Sequence, residues 1–236
     1  MDPKIIYEDD SFFVVEKPSG WITNEASNTT TQPVLQTWMK NSFDYDLKNN
    51  WEARNGIVHR LDKETSGLLL VAKNISAFEE LQRQFKERLV HKTYIALTHG
   101  ILSNSEGVID ETVGRLPWRK DRFGVMPDGR DAITNYKKIN DYKNEEGEYS
   151  LLELAPKTGR THQIRIHLKH IGHPIVGDEF YAGRKTARKD RHWCARLFLH
   201  SGGITFLHPV TKKEINFSIG LPSDLQEVLE KLSKLN

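Results

Sequence analysis

Cysteine is nearly missing from this chain: Cys194 stands alone among 236 residues, which excludes an internal disulfide and any cysteine-built zinc site. Long apolar runs are missing too. Nothing approaches the roughly 20 residues that a membrane-crossing helix requires. The opening residues, Met1 to Asp10, are acidic where a secretory signal would be basic and then apolar, so the expectation is a cytoplasmic protein that avoids membranes. No Pro/Gly/Ser-rich linker interrupts the sequence, and its length suits one domain spanning residues 1–236. No glycine-rich nucleotide loop is present either, and together with the missing cysteine cluster this predicts an activity without metal, nucleotide or redox cofactor.

Net charge is also in short supply, at +2, which by itself implies no nucleic-acid partner. The distribution carries more. Between Glu153 and Asp178 there is no acidic residue, yet Lys157, Arg160, Arg165 and Lys169 lie there with His162, His167, His170 and His173. Two further basic stretches include tryptophan: Arg115 to Arg122, with Trp118, Arg119 and Lys120, and Arg184 to Trp193, with Arg188 and Lys189. Cations beside an aromatic ring can hold phosphates and offer a stacking surface, as RNA-binding loops do; a solvated loop has the same composition.

What is present in quantity is strand pattern. Phe12 to Lys17 is β-branched and aromatic and is stopped by Pro18-Ser19-Gly20. Leu68 to Ala72 and Tyr94 to Leu97 are short apolar runs suited to buried strands. Gly203–Leu207 and Glu214–Ile219 alternate on either side of a His208–Lys212 loop, which predicts a hairpin. Two helices are predicted. Ser76 to Phe85 begins with a Ser-x-x-Glu capping box and sets Phe78, Leu81 and Phe85 on one face, and Ser223 to Leu232 is a capped amphipathic helix closing the chain. Strands that succeed one another without intervening helices predict an α+β fold on a mixed, mostly antiparallel central sheet with flanking helices.

The stretch Gly56 to Lys73 sets polar groups directly against an apolar strand. His59, Arg60 and Asp62 precede Thr65-Ser66-Gly67, where glycine allows a tight bend that presents the carboxylate at a strand end. On residue types alone Asp62 and Arg60 could equally be a loop ion pair, Tyr94 a core tyrosine and Arg165 a surface arginine. Ile164, Leu168 and Ile171 repeat at helical spacing, which buries that face and leaves Arg165 at its edge.

The run His59-Arg60-Leu61-Asp62, followed by Thr65-Ser66-Gly67-Leu68-Leu69-Leu70 and Ala72-Lys73, resembles the signature of RluA-type pseudouridine synthases. It is accompanied in order by Lys17-Pro18-Ser19-Gly20, His91-Lys92-Thr93-Tyr94, Pro156 to Leu168, Leu199-His200-Ser201-Gly202 and Phe206 to Thr211. The resemblance implies a pseudouridine synthase fold with long RNA-gripping loops, isomerising uridines of ribosomal or transfer RNA. It implies Asp62 as the catalytic aspartate, Arg60 as the base-flipping arginine, Tyr94 as the active-site tyrosine and Arg165 as the arginine paired with the aspartate. His59, Arg160, Arg119, Arg188 and Lys189 are the expected RNA contacts. Trp21 to Glu25 departs from the His-Pro that often follows the Lys-Pro-x-Gly turn, and no separate N-terminal RNA-binding domain is expected, since few residues precede Ile5. A monomer acting on an RNA stem-loop is the expected assembly.

The chemistry is consistent with these residue types. Uridine becomes pseudouridine when the bond from C1′ to N1 breaks, the base turns, and C1′ joins C5. An ionised carboxylate can attack C1′, stabilise its positive charge, or take a proton from the sugar. A neighbouring arginine favours the ionised form. The rival reading is a metal-dependent hydrolase built on His162, His167, His170 and His173. Their spacings of five, three and three differ from the i, i+4 pairs of zinc helices.

Overall fold

The computed structural model describes residues 2–25 and 31–235, the side chains of Lys120 and Asp121 excepted. In chain order the strands are β1 (Lys4–Glu8), β2 (Phe12–Lys17), β3 (Ser66–Ala72), β4 (His91–His99), β5 (Glu106–Asp110), β6 (Val113–Leu116), β7 (Arg119–Val125), β8 (Ile133–Asn144), β9 (Gly147–Pro156), β10 (Leu199–Leu207), β11 (Glu214–Ser218) and β12 (Ser233–Leu235). The helices are α1 (Leu35–Ser42), α2 (Ile75–Lys86), α3 (Gln163–His170), α4 (Arg184–Asp190) and α5 (Ser223–Glu230). Contacts gather into two compact units, Met1–His91 with Ser201–Ile219, and Lys92–His200 with Gly220–Asn236. Both are α+β, as the strand pattern predicts.

In the first unit β2 pairs antiparallel with β1 and with β3, and the β10–β11 hairpin has the antiparallel register expected, Gly203 opposite Ser218 through Leu207 opposite Glu214. Phe12 to Val15 and Leu68 to Ala72 are fully buried, which is why both runs read as continuous apolar segments rather than alternating ones. Each such side chain removed from water contributes about 1.5–3 kcal/mol. Phe12 meets Phe206 edge-on at 5.2 Å, and Phe217 packs beside both. Helix α2 lays Phe78 and Leu81 into this core, while Phe85 stays half-exposed against His59. Its cap differs from the one expected: Asn74 accepts from the Ala77 N–H, so the helix starts one residue before Ser76 and the Ser-x-x-Glu pair is not its cap.

In the second unit β9 lies between β4 and β8, and β8 also pairs with β5 and β12, all antiparallel. The final helix α5 has Pro222 at its N-cap with no side-chain cap, and it does not close the chain, because β12 follows and adds to β8. The basic stretches expected as loops are regular structure. Arg119 and Arg122 lie on β7, hairpin partner of β6 with Trp118 at the turn, and Arg188 and Lys189 lie on α4. The backbone groups of such segments have to find partners, and a hairpin and a helix supply them locally.

Candidate active site

The loop that carries Asp62 is built by the meeting of two strand ends. Lys17 and Gly67 are register partners at the ends of β2 and β3. Beyond them lie two irregular segments, 18–23 and 61–65, and side-chain and backbone donors of the first hold carbonyls of the second. Thr23 Oγ1 donates to the Leu61 carbonyl at 2.8 Å and accepts from the Leu61 N–H at 3.2 Å. Ser19 Oγ donates to the Glu64 carbonyl at 2.7 Å, and the Gly20 N–H donates to that of Lys63 at 2.8 Å. The Asp62 carbonyl itself accepts from the Thr65 N–H, closing the turn.

Lys17 completes this clamp. Its side chain is fully buried and Nζ donates to the carbonyls of Pro18 at 3.0 Å, Trp21 at 2.8 Å and Lys63 at 3.2 Å. An ammonium has three donors, and here each has a carbonyl acceptor. The sequence carried a signal for this. Phe13, Val15 and Lys17 share one strand face by their period of two, so a lysine is placed on a core-facing register. Gly67 is required at the next position: its φ is +122°, and a Cβ there would lie 2.2 Å from the Ser201 carbonyl oxygen.

His59 is tied to the same scaffold. Its Nε2 accepts from the Leu70 N–H at 3.0 Å, and its ring packs on Phe85 with centroids 4.7 Å apart. Arg60 is exposed and Asp62 half-buried, so an anchored loop presents one cation outward and one carboxylate partly shielded.

In the second unit Tyr94 sits on β4 opposite Leu154 of β9, and is buried. Arg165 lies on α3, where every residue from Gln163 to Leu168 is buried. This corrects the expectation that Arg165 stands at the helix edge, since the helix packs against β7 and β8 and is covered beyond its apolar stripe. The charge is compensated by a fork: Nε donates to Asp178 Oδ2 at 2.7 Å and Nη2 to Oδ1 at 2.8 Å. Asp178 Oδ1 also accepts from the N–H groups of Phe180 and Tyr181. The rings of Phe180 and Tyr181 lie 5.5 and 5.1 Å from the Arg165 guanidinium carbon. Asp178 escaped the sequence reading although a signal existed: it is the first acidic residue after the acid-free basic window.

The remaining expected contacts are dispersed within the second unit. Arg160 is half-buried, its Nε donating to the Asp131 carbonyl at 3.0 Å while its backbone N–H binds Gln163 Oε1. Arg119 and Arg188 are exposed, and Lys189 Nζ lies 3.8 Å from Glu146. The side chain of Lys120 lies outside the described residues. The histidines of the proposed metal alternative have individual partners: His162 meets the Tyr181 hydroxyl at 2.9 Å, His167 lies between Thr134 Oγ1 and the Glu111 carbonyl, and His173 meets the His99 carbonyl. Burial holds the His167 pKa below its ordinary value.

Comparison with known proteins gives these residues a context. The RNA pseudouridylate synthase family profile matches residues 11–170. An RNA pseudouridine synthase of Bacillus subtilis is 39% identical over 234 residues, covering 99% of this chain and 74% of its own. The ribosomal large subunit pseudouridine synthase D of Pasteurella multocida is 35% identical over 237 residues, 97% of this chain and 70% of its own. Among solved structures, human RNA pseudouridylate synthase domain containing 1 superposes with a TM-score of 0.77 at 26% identity, covering 99% of this chain and 89% of that one. With a profile spanning most of its length and relatives at this identity, the chain belongs to the RNA pseudouridylate synthase family and is an isomerase that forms pseudouridine in RNA.

Proposed function

We propose that this enzyme, as one catalytic domain and a cytoplasmic monomer, isomerises uridines in a stem-loop of ribosomal or transfer RNA, with Asp62 as the catalytic carboxylate. The observation that carries the residue assignment is the clamped loop. The carbonyls of Leu61, Lys63 and Glu64, on both sides of Asp62, are each held by a group from 17–23, so the carboxylate is positioned before substrate arrives. Preorganised placement of a charged group lowers the barrier because little reorganisation is left for the reaction itself. The name of the Pasteurella relative supports ribosomal RNA as one target.

In this reading Asp62 acts at C1′ while the C1′–N1 bond breaks and the C1′–C5 bond forms. Tyr94 stacks on the extruded base, and Arg60 fills the space that the flipped uridine leaves. Arg165 favours the ionised form of Asp62. His59 and Arg160 shape the RNA-facing loops, and Arg119, Arg188 and Lys189 meet phosphates. No metal or organic cofactor is needed for an isomerisation without net electron transfer. Incubation of the enzyme with bulk unmodified RNA, followed by nucleoside analysis with and without chelator, tests it. Pseudouridine should accumulate equally in both. Zinc-dependent turnover, or near wild-type turnover by Asp62→Asn, would overturn the assignment.

A further inference from the structure

Beside α4 lies a recess of about 370 Å³, lined by Arg122, Glu179, Phe180, Arg184, Ala187, Arg188 and Arg191. Four guanidinium groups face one carboxylate there. Arg184, Arg188 and Arg191 fall at i, i+4 and i+7, which sets them along one side of the helix and its last turn. The acidic member of that helix is turned away: Asp190 is buried and its Oδ2 accepts from the Gly177 N–H at 2.8 Å. Glu179 is engaged by Arg191. Arg122 donates from Nη1 to the Phe180 carbonyl and lies 4.9 Å from that ring, while its Nε is buried with no hydrogen-bond partner among the described residues. No ion pair or hydrogen bond among the described residues engages Arg184 or Arg188.

Like charges gathered in one recess repel one another, and an anion seated among them removes that cost. Guanidinium forks match phosphate oxygens, and the volume falls in the range of sites for small organic groups rather than for a bare ion. We infer that the recess is a phosphodiester subsite for the RNA substrate, holding backbone outside the reacting uridine. The inference rests on the synthase reading for the identity of its ligand. Arg122 and Arg184 join Arg188 as phosphate contacts of a single recess. The position has a further consequence, because Phe180 lines the recess and its N–H binds the same Asp178 oxygen that receives Arg165 Nη2. Backbone seated here is two residues from the carboxylate that orients Arg165.

The test uses the full chain and a uridine-free single strand of about 12 adenosine and cytidine nucleotides, a length typical of single-strand binding sites. Arg184→Gln with Arg188→Gln should weaken its affinity about tenfold near 0.1 M salt. The slope of log affinity against log salt should become shallower by about 1.4, the value for two phosphate contacts on a single strand. Lys185→Gln, an exposed cation of α4 outside the recess, should leave both within twofold. Wild-type affinity and slope in the double variant would overturn the subsite, as would an equal loss in Lys185→Gln. Because this strand contains no uridine, its result stands apart from the pseudouridine assay, whose failure would instead sink the synthase reading.

Discussion

Arg165 and Asp178 form a two-point fork at 2.7 and 2.8 Å with both side chains sealed from solvent. Removing one partner from such a pair leaves the other charge buried without compensation, which costs about 3–5 kcal/mol. Asp178→Asn should therefore lower unfolding stability by about that amount, while Arg165→Lys, which keeps the charge and loses the planar fork, should lower it less and slow single-turnover chemistry more than it weakens RNA binding. Denaturant titration and single-turnover rates read both. A loss below about 1 kcal/mol in Asp178→Asn would show that the pair is not the anchor of α3.

Asp62→Asn preserves the size of the side chain and removes its charge. Affinity for RNA should stay within about threefold of wild type, a difference of less than 1 kcal/mol, while pseudouridine formation falls below detection. Arg60→Ala should separate substrates. Extruding a stacked uridine costs a few kcal/mol, so its loss should slow modification of a structured stem-loop more than that of a flexible strand. Equal slowing on both would remove Arg60 from the flipping step.

Lys17→Met retains the apolar stem and deletes three donors to the carbonyls of Pro18, Trp21 and Lys63. The Lys63 carbonyl keeps the Gly20 N–H, while those of Pro18 and Trp21 lose this donor; each buried acceptor left unmatched costs about 1–3 kcal/mol, so the variant should be destabilised, with faster amide exchange concentrated at 61–65. Turnover at saturating RNA should drop at least about tenfold, roughly 1.4 kcal/mol in the barrier, with little change in affinity. If exchange at 61–65 matched wild type while turnover fell, the clamp would not be what positions Asp62.

Burial pushes the His200 pKa down to about 4. In the unfolded chain it should be near 6.5. The unfolded state thus binds a proton that the folded state refuses between these values, and stability present above pH 6.5 is lost as pH falls toward 4. The full window corresponds to about 3 kcal/mol. Melting temperature should drop across it, and His200→Asn should flatten that part of the profile. An equally steep profile in the variant would assign the acid sensitivity to other groups.

How much of this was legible depended on whether burial left a pattern behind. β2 and β3 were readable as short unbroken apolar runs because both their faces are buried, β11 because it alternates, and α2 because Phe78 and Leu81 repeat at helical spacing. β1 was not, since four of its five residues are exposed and no alternation survives at that edge. α4 looked like a charged loop because Ala187 is its one buried residue before Asp190. The site divides the same way. Asp62, Arg60, Tyr94 and Arg165 are proposed on motif resemblance, whereas the fork on Asp178 and the carbonyls around Lys17 depend on pairings distant in sequence or made by backbone, which side-chain identity does not advertise.

The close approach of Gly67 to Ser201 carries a consequence for synthesis. The unit that holds Asp62 is discontinuous, its last strands coming from residues 201–219. A ribosome that has released the first 91 residues has exposed Leu68 to Val71 without the backbone that belongs against Gly67. More than a hundred further residues must emerge first, many seconds at ordinary elongation rates of about 5–20 residues per second. Loop closure over that separation is slow and leaves apolar strand edges open in the interval. Those edges stay open to aggregation until β10 arrives, and a chain truncated before Ser201 would keep the clamp of 17–23 around its aspartate while losing the backbone that packs against Gly67.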